Sequence, residues 1–232
     1  AGLGKRLRPL TLRHPKCLMP IGGKPLLGLW LKKLEGLGCE AALINTHYLS
    51  EQVERFVGSY DNLKMEVKTQ YEEDLLGTAG TFRRNLDFFC NSTGLLIHAD
   101  NATSSDLQGL LVAHKNKPAH CLMTMLTFSS SNPTNCGIVE TDSNGIVTGF
   151  HEKVKNPPGN CANGAVYLFD PSFVNWFQGL PSEAKDFSND VVSKLIGRIQ
   201  TWHVQEPYFD IGTPSSLIEA QSSMDFLFED NK

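Results

Sequence analysis

The sequence of 232 residues lacks any C-x-x-C pair, although it contains six cysteines. The cysteines are scattered at Cys17, Cys39, Cys90, Cys121, Cys136 and Cys161. This spacing indicates reduced thiols and is not that of a zinc site or a disulfide framework. No apolar run approaches the roughly 20 residues that cross a bilayer, and no charged-then-apolar leader is present. We therefore expect no membrane partner and a cytoplasmic location.

Basic residues are not in surplus either. The chain has 21 lysines and arginines and 25 acidic residues, which gives a formal net charge of -4. This balance argues against a nucleic-acid partner, but a few local cations can still hold a small anion. Hydrophobic residues make up 41% of the chain and charged residues 20%, which are ordinary globular values. Without repeats or a low-complexity linker, the sequence predicts one domain over residues 1–232.

Apolar periodicity changes along the chain and predicts the fold class. Helical patterns cover residues 24–38, 50–60 and 78–89, and strand patterns cover residues 41–44, 64–70 and 94–100. Ser50 is the predicted N-cap of the second helix. Strand patterns dominate after His120, with a hairpin turn at residues 142–145, and Thr213 with Pro214 is expected to begin a last helix. We predict an α/β fold with a doubly wound, Rossmann-like mixed sheet and a β-rich lobe.

The run at residues 94–100 ends in Asp100. Continuous apolar runs are typical of parallel strands covered on both faces, and ligands of such sheets lie at the carboxyl ends of the strands. Asp100 is therefore a candidate site residue, although a lone aspartate after a strand is more commonly a turn residue.

The first residues combine glycine with cations. Gly2 and Gly4 would let the backbone approach a polyphosphate, and the cations beside them would neutralise its charge. The segment is not a Walker A loop, because no Ser or Thr follows Lys5, and Leu7 replaces the third glycine of the dinucleotide fingerprint. A basic surface loop is equally compatible with the composition. Because no strand precedes this turn in the sequence, we expect one before Ala1 in the natural protein.

Residues 2–20, which read GLGKRLRPLTLRHPKCLMP, continue to a Lys-Pro pair at residues 24–25. This ordered pattern closely resembles the signature of the sugar-phosphate nucleotidylyltransferases, and the resemblance extends to about residue 221. It implies the nucleotide-diphospho-sugar transferase type of fold. It also implies that Gly2, Leu3, Gly4 and Lys5 wrap a nucleoside triphosphate. Arg6 and Lys16 would then bind its phosphates and stabilise the departing pyrophosphate.

Further matches follow in the order of that family. The resemblance implies that Gly77 and Thr78 form a second nucleotide-binding segment, with Gln70 near the base. Asp100 and Asp210 match its two metal-binding aspartates, which suit Mg²⁺ as a hard cation that prefers oxygen ligands. Without the resemblance, residues 76–80 are better explained as an ordinary strand-to-helix turn.

The same resemblance assigns four residues to the binding of the sugar 1-phosphate. Glu152 would accept hydrogen bonds from sugar hydroxyls, Lys153 would neutralise the sugar phosphate, and Gly137 and Asn163 match positions that approach the sugar. On its own, the Glu152-Lys153 pair would be interpreted as a solvated surface ion pair.

The implied reaction joins a nucleoside triphosphate to a sugar 1-phosphate and releases pyrophosphate. Residues 45–49 and 76–80 look most like bacterial mannose-1-phosphate guanylyltransferases, which favours GTP and mannose 1-phosphate. Uridylyl or thymidylyl transfer to another hexose, heptose or amino-sugar phosphate remains an alternative. So do a non-catalytic sensor or subunit and a cytidylyltransferase for a non-sugar phosphate. No hexapeptide repeat follows Asp210, so we expect the catalytic domain alone, and the pattern makes no prediction of oligomeric state.

Overall fold

The computed structural model describes residues 2–60, 63–89 and 91–224. The strands are β1 (Pro20–Ile21), β2 (Lys24–Pro25), β3 (Ala41–Thr46), β4 (Glu66–Tyr71), β5 (Gly94–Ile97), β6 (Asn101–Thr103), β7 (Met123–Ser129), β8 (Gly137–Thr141), β9 (Val147–Glu152), β10 (Cys161–Phe169), β11 (Ile199–His203) and β12 (Tyr208–Asp210). The helices are α1 (Leu26–Gly36), α2 (Ser50–Gly58), α3 (Gly77–Arg84), α4 (Gln108–Lys115), α5 (Pro171–Gln178), α6 (Phe187–Asp190) and α7 (Pro214–Met224).

The chain divides into two compact units, and neither is one continuous stretch of sequence. The first unit combines Ala1–Leu75, Ala99–Asp106 and Glu206–Lys232, and the second combines Leu76–His98 with Leu107–Gln205. The predicted α/β class with a mixed sheet is confirmed. The single domain over residues 1–232 stays a prediction, as does the strand before Ala1.

In the first unit, β3 and β4 pair in parallel, and β6 pairs with β12 in antiparallel fashion. Helix α1 has its apolar stripe because residues three and four apart share a helix face. That stripe packs with the strands and α2 in a core that includes Leu27, Leu31, Val53 and Met65. Gly38 ends the helical segment with φ of 82°, a conformation that glycine adopts without strain.

In the second unit, the strand order is β11-β7-β10-β8-β9, and β5 also pairs with β10. The β11–β7 pair is parallel and the other named pairs are antiparallel, so the sheet is mixed. An aromatic cluster fills the core, with Phe82 centred 4.8 Å from Phe177 and 5.3 Å from Phe169, both edge to face. Such pairs add about 0.5–1.5 kcal/mol each beyond burial of their area.

Two local predictions are wrong. Leu49, with φ of 52°, is the N-cap of α2, and Ser50 is the first helical residue without a side-chain cap. Strand β5 ends at Ile97 and pairs with β10 in antiparallel register, although its apolar run was typical of a parallel strand. A run of apolar residues reports burial on both faces, and it does not report the direction of the neighbouring strand.

The predicted hairpin turn and the predicted start of the last helix are confirmed. Asp142 Oδ1 accepts from the Asn144 and Ile146 amides at 2.8 and 2.9 Å in the turn between β8 and β9. Thr213 Oγ1 accepts from the Ser216 amide at 3.2 Å, and α7 begins at Pro214.

None of the five described cysteines forms a disulfide, and Cys90 lies outside the described residues. Within the described ranges, every helix is too short or too polar to cross a membrane.

Candidate active site

Four charged side chains from separate parts of the sequence meet in the first unit. The Lys16 ammonium lies 2.6 Å from Asp100 Oδ2 and 3.8 Å from Asp210 Oδ1. Arg6 Nη2 lies 3.9 Å from the other oxygen of Asp210. The structure therefore brings together all four residues that the sequence predicts to be catalytic.

The backbone brings the two aspartates side by side. In the β6–β12 pair, Asp210 is opposite Asn101, and the Ile211 amide donates to the Asp100 carbonyl at 3.0 Å. The indole of Trp30 donates to the Asn101 carbonyl at 2.7 Å in a buried contact from α1. Because these bonds satisfy buried backbone groups, displacing this corner would expose unpaired polar atoms.

Burial differs across the cluster. The Lys16 side chain is 17% exposed and Asp100 34%, whereas Asp210 is 53% exposed and Arg6 64%. The Lys16–Asp100 contact is thus partly shielded from solvent, while Asp210 and Arg6 remain open to it. Ion pairs at such exposed positions stabilise a fold weakly, so their convergence favours a binding role over a structural one.

The donor set of this cluster is compatible with Mg²⁺. Asp100 and Asp210 supply carboxylate oxygens, which Mg²⁺ prefers while it keeps several waters. A lysine ammonium already lies within 4 Å of both carboxylates, so the place between them accepts a cation. Across residues 2–60, 63–89 and 91–224, no group of three or more His, Cys, Asp or Glu residues could hold a metal. The metal assignment of the two aspartates stays a prediction.

The glycine loop contains one glycine that packing requires and one that it does not. Gly4 has φ of 60°, its carbonyl accepts from Thr11 Oγ1 at 2.8 Å, and an added Cβ would lie 2.8 Å from Thr11 Cγ2. A Cβ on Gly2 would meet nothing within 4 Å. The exposed Gly2 therefore leaves the backbone open to a ligand. Leu3 is half-buried and Lys5 is exposed beside it.

Other residues of the first unit hold this loop, and the sequence reasoning missed them. Tyr48 donates its hydroxyl hydrogen to the Thr11 carbonyl at 2.8 Å. Thr11 itself is buried. No local motif marks Tyr48, because its partner lies 37 positions away in sequence. Gln70, assigned to the base, lies in β4 opposite Asn45, and its amide donates to the Tyr71 carbonyl at 3.3 Å.

In the second unit, Gly77 and Thr78 have contacts that explain their identities without a ligand. Gly77 has φ of 78°, and a Cβ there would lie 2.4 Å from the Lys185 carbonyl oxygen. The Phe187 amide donates to Thr78 Oγ1 at 2.7 Å. The fold thus requires glycine at position 77 and uses the Thr78 hydroxyl as an acceptor, and the nucleotide-binding role of both residues stays a prediction.

Three of the four residues assigned to the sugar 1-phosphate lie on β8, β9 and the turn after β9. Lys153 Nζ is 2.7 Å from Glu152 Oε1, with Lys153 62% and Glu152 20% exposed. Gly137 is the cross-strand partner of Glu152, and a Cβ on it would lie 2.6 Å from Glu152 Oε2. Lys153 has φ of 49°, and its amide donates to the Cys136 carbonyl. The absent side chain at Gly137 therefore makes room for the Glu152 carboxylate.

Asn163 stabilises an irregular part of β10. Its Oδ1 accepts from the Ala165 amide at 2.9 Å, and its Nδ2 donates to the Tyr167 hydroxyl at 2.6 Å. The β10–β7 register shifts between Asn163 and Tyr167, and Ala165 has φ of 52°. Burial raises the pKa of Tyr167, so its phenol stays protonated. The sequence did not single out Tyr167, because its partnership depends on this bulge.

Comparison with known proteins places these observations in a family. A model of the family described as nucleotidyl transferase matches residues 1–225. The mannose-1-phosphate guanylyltransferase of Mycobacterium tuberculosis is 30% identical over 75% of this chain and 48% of its own length. The UTP–glucose-1-phosphate uridylyltransferase of Synechocystis is 26% identical over 84% of this chain and 53% of its own length. The chain thus spans about half the length of these relatives.

A solved structure shares the fold. The putative glucose-1-phosphate thymidylyltransferase of Bacillus anthracis superposes with a TM-score of 0.85 at 22% identity, covering 100% of this chain and 93% of that one. This likeness confirms the predicted nucleotide-diphospho-sugar transferase type of fold.

Proposed function

This chain belongs to the nucleotidyl transferase family, and we propose that it joins a nucleoside triphosphate to a sugar 1-phosphate and releases pyrophosphate. The observation that supports this best is the convergence of Arg6, Lys16, Asp100 and Asp210 in the first unit. A reaction among phosphates needs cations where negative charge develops and carboxylates that can hold a metal, and this cluster provides both.

The proposed chemistry is an in-line displacement at the α-phosphorus. A phosphate oxygen of the sugar 1-phosphate is already ionised at neutral pH, so the attack needs no general base. Arg6 and Lys16 would bind the phosphates of the nucleotide and compensate the charge of the leaving pyrophosphate. The half-buried Lys16 is held by Asp100, so its ammonium is positioned before the substrate arrives.

Asp100 and Asp210 are the residues that would hold Mg²⁺. When bound, Mg²⁺ would supply further charge compensation at the phosphates. Gly2, Leu3, Gly4 and Lys5 are assigned to the triphosphate. For Gly2, the assignment is supported by its exposure and by the open space where its Cβ would be.

For the substrates, we propose GTP and mannose 1-phosphate. Support comes from relatives named mannose-1-phosphate guanylyltransferase in Mycobacterium tuberculosis and, at 29% identity, in Drosophila melanogaster. Uridylyl or thymidylyl transfer is the alternative, since relatives and structural neighbours bear those names as well. Glu152 and Lys153 are assigned to the sugar and its phosphate by the resemblance in sequence.

The test is pyrophosphate release from four nucleoside triphosphates, each combined with several sugar 1-phosphates in the presence of Mg²⁺. Fastest release with GTP and mannose 1-phosphate would support the full proposal. Another best pair would keep the reaction and change the substrates.

The same matrix separates the enzyme from a non-catalytic sensor or subunit. A sensor would bind a nucleotide or nucleotide sugar in calorimetry and release no pyrophosphate with any pair. A mock purification from cells that do not express the protein is the control, because any release in it comes from a contaminating enzyme.

A further inference from the structure

A second cationic site lies in the first unit, formed by residues that the proposed reaction does not use. The loop of residues 13–18 and one face of α2 border a cleft of about 450 Å³ that is wide open to solvent. Arg13, His14 and Leu18 line it from the loop, and Gln52, Arg55 and Phe56 line it from α2. This volume is within the range of about 300–1,000 Å³ found for small-molecule sites.

The cleft carries two cationic side chains, Arg13 and Arg55. Neither Arg13 nor Arg55 forms a salt bridge with a carboxylate among the residues that the structure describes. Both side chains are exposed, so their guanidinium groups can reach a ligand. The C-terminal end of α2 contributes partial negative charge, but only about half an elementary charge against two full positive ones.

The walls of the cleft are tied together before any ligand binds. Gln52 Nε2 donates to the Arg13 carbonyl at 2.8 Å, which joins the helix to the loop. Gln52, Arg55 and Phe56 are spaced three and four residues apart, so they lie on one helix face. A cleft with connected walls loses less conformational freedom when it binds a ligand.

The floor of the cleft is apolar. Leu18 and Phe56 are half-buried and pack against the core of the first unit. The Phe56 ring also contacts the Tyr60 ring, with centroids 5.2 Å apart. A bare inorganic ion would leave this surface exposed to water, whereas a ligand with a ring would cover it.

We propose that this cleft binds an organic phosphate, with its phosphate on Arg13 and Arg55 and its apolar ring on Leu18 and Phe56. Guanidinium groups suit this ligand because their planar donors match phosphate oxygens. The cleft is separate from the Arg6 cluster in its residues, so the inference holds whether or not the proposed reaction is correct.

The test uses phenyl phosphate as the probe and follows backbone amide shifts by NMR at low ionic strength. We expect shifts at residues 13–18 and 52–59, with weaker binding as salt is added. The double variant Arg13→Ala/Arg55→Ala should lose about tenfold or more in affinity, and Arg55→Gln alone should lose part of it. Arg84→Ala/Lys115→Ala removes two exposed charges from the second unit and should leave the affinity within about twofold of the parent.

Three results would overturn the proposal. Unchanged affinity in a folded Arg13→Ala/Arg55→Ala variant would exclude the two guanidinium groups. Shifts confined to residues 2–8 and lost in Arg6→Ala would assign the binding to the candidate active site. Inorganic phosphate that binds as tightly as phenyl phosphate would exclude a role for the apolar floor.

Discussion

Each unit contains a lysine held by an aspartate, and the two clusters differ in what surrounds that contact. In the first unit, Lys16 is 17% exposed beside Asp100 at 34%. In the second unit, Lys117 is 11% exposed beside Asp170, also at 34%. By burial and pairing alone, the two contacts are nearly indistinguishable.

The two lysine–aspartate contacts differ in the other side chains that lie against them. Asp170 also bonds with Nε2 of the buried His114 at 3.0 Å, and His114 Nδ1 bonds with Thr124 Oγ1 at 2.9 Å. This network links α4 to β7 and to the residue before α5. Asp100 instead shares its lysine with Asp210, which is 53% exposed and lies near the exposed Arg6. Of the two contacts, only that of Lys16 has further charged groups beside it that reach solvent, which favours a binding role for it.

The largest expected effect is the loss of turnover when one charged side chain of the cluster in the first unit is removed. Asp100→Ala, Arg6→Ala or Lys16→Ala should each lower turnover about a hundredfold, because losing one preorganised charge costs roughly 3 kcal/mol in the transition state. Initial rates of pyrophosphate release measure this. Turnover within a few-fold of the parent would remove the residue from its assigned role.

The matching change in the second unit should affect stability and leave catalysis intact. Asp170→Asn should lower the free energy of unfolding by about 1–3 kcal/mol, because Lys117 and His114 lose a charged acceptor in a mostly buried place. Urea denaturation measures the change. Glu66→Gln removes a surface partner of Lys68 and should cost less than about 0.5 kcal/mol. Equal losses in both variants would contradict the contrast between buried and exposed pairs.

Gly4 and Gly2 of the glycine loop give the same contrast between a structural position and a binding position, with smaller expected effects. Gly4→Ala should destabilise the protein by about 1–2 kcal/mol, since φ of 60° disfavours a side chain and Thr11 occupies the space. Gly2→Ala should leave stability within about 0.5 kcal/mol and weaken nucleotide binding. Thermal unfolding combined with nucleotide titration separates the two. A stable Gly4→Ala protein would show that the loop relaxes.

The smallest effect is a pH dependence from the second cluster. Burial lowers the pKa of His114 despite its bond to Asp170, so the folded state keeps the ring neutral below the unfolded value of 6.5. The unfolded state then binds more protons, and stability should fall as pH drops below about 6.5. His114→Gln should flatten this slope in urea midpoints. An unchanged slope would assign it to other groups.

Asp170 contributes a second pH dependence of stability, at lower pH than that of His114. Burial acts to raise the pKa of Asp170, but its bonds from Lys117 and His114 lower it overall. Its contribution to stability is therefore retained above the ordinary aspartate range and is lost as pH falls through its lowered pKa.

Local chemistry predicted much of the fold. The stripe of α1, the Asp142 turn and the Thr213 cap depend on residues within a few positions of each other, so a sequence can display them. The N-cap of α2 and the direction of β5 were wrong because they depend on neighbours distant in sequence. Thr78 shows the same limit, because its hydroxyl accepts from the Phe187 amide, 109 positions away in sequence.

By itself, the sequence determined the fold class through its apolar periodicity, and its resemblance to a known family marked the glycine loop and the charged residues. The tertiary structure decided which charges meet. Lys16 and Asp100 are 84 positions apart, and only the pairing of β6 with β12 brings Asp210 beside them. It also favours a structural role for the similar Lys117 contact, since the two contacts differ in their third partners, His114 on one side and the exposed Asp210 on the other, and those partners depend on the whole chain.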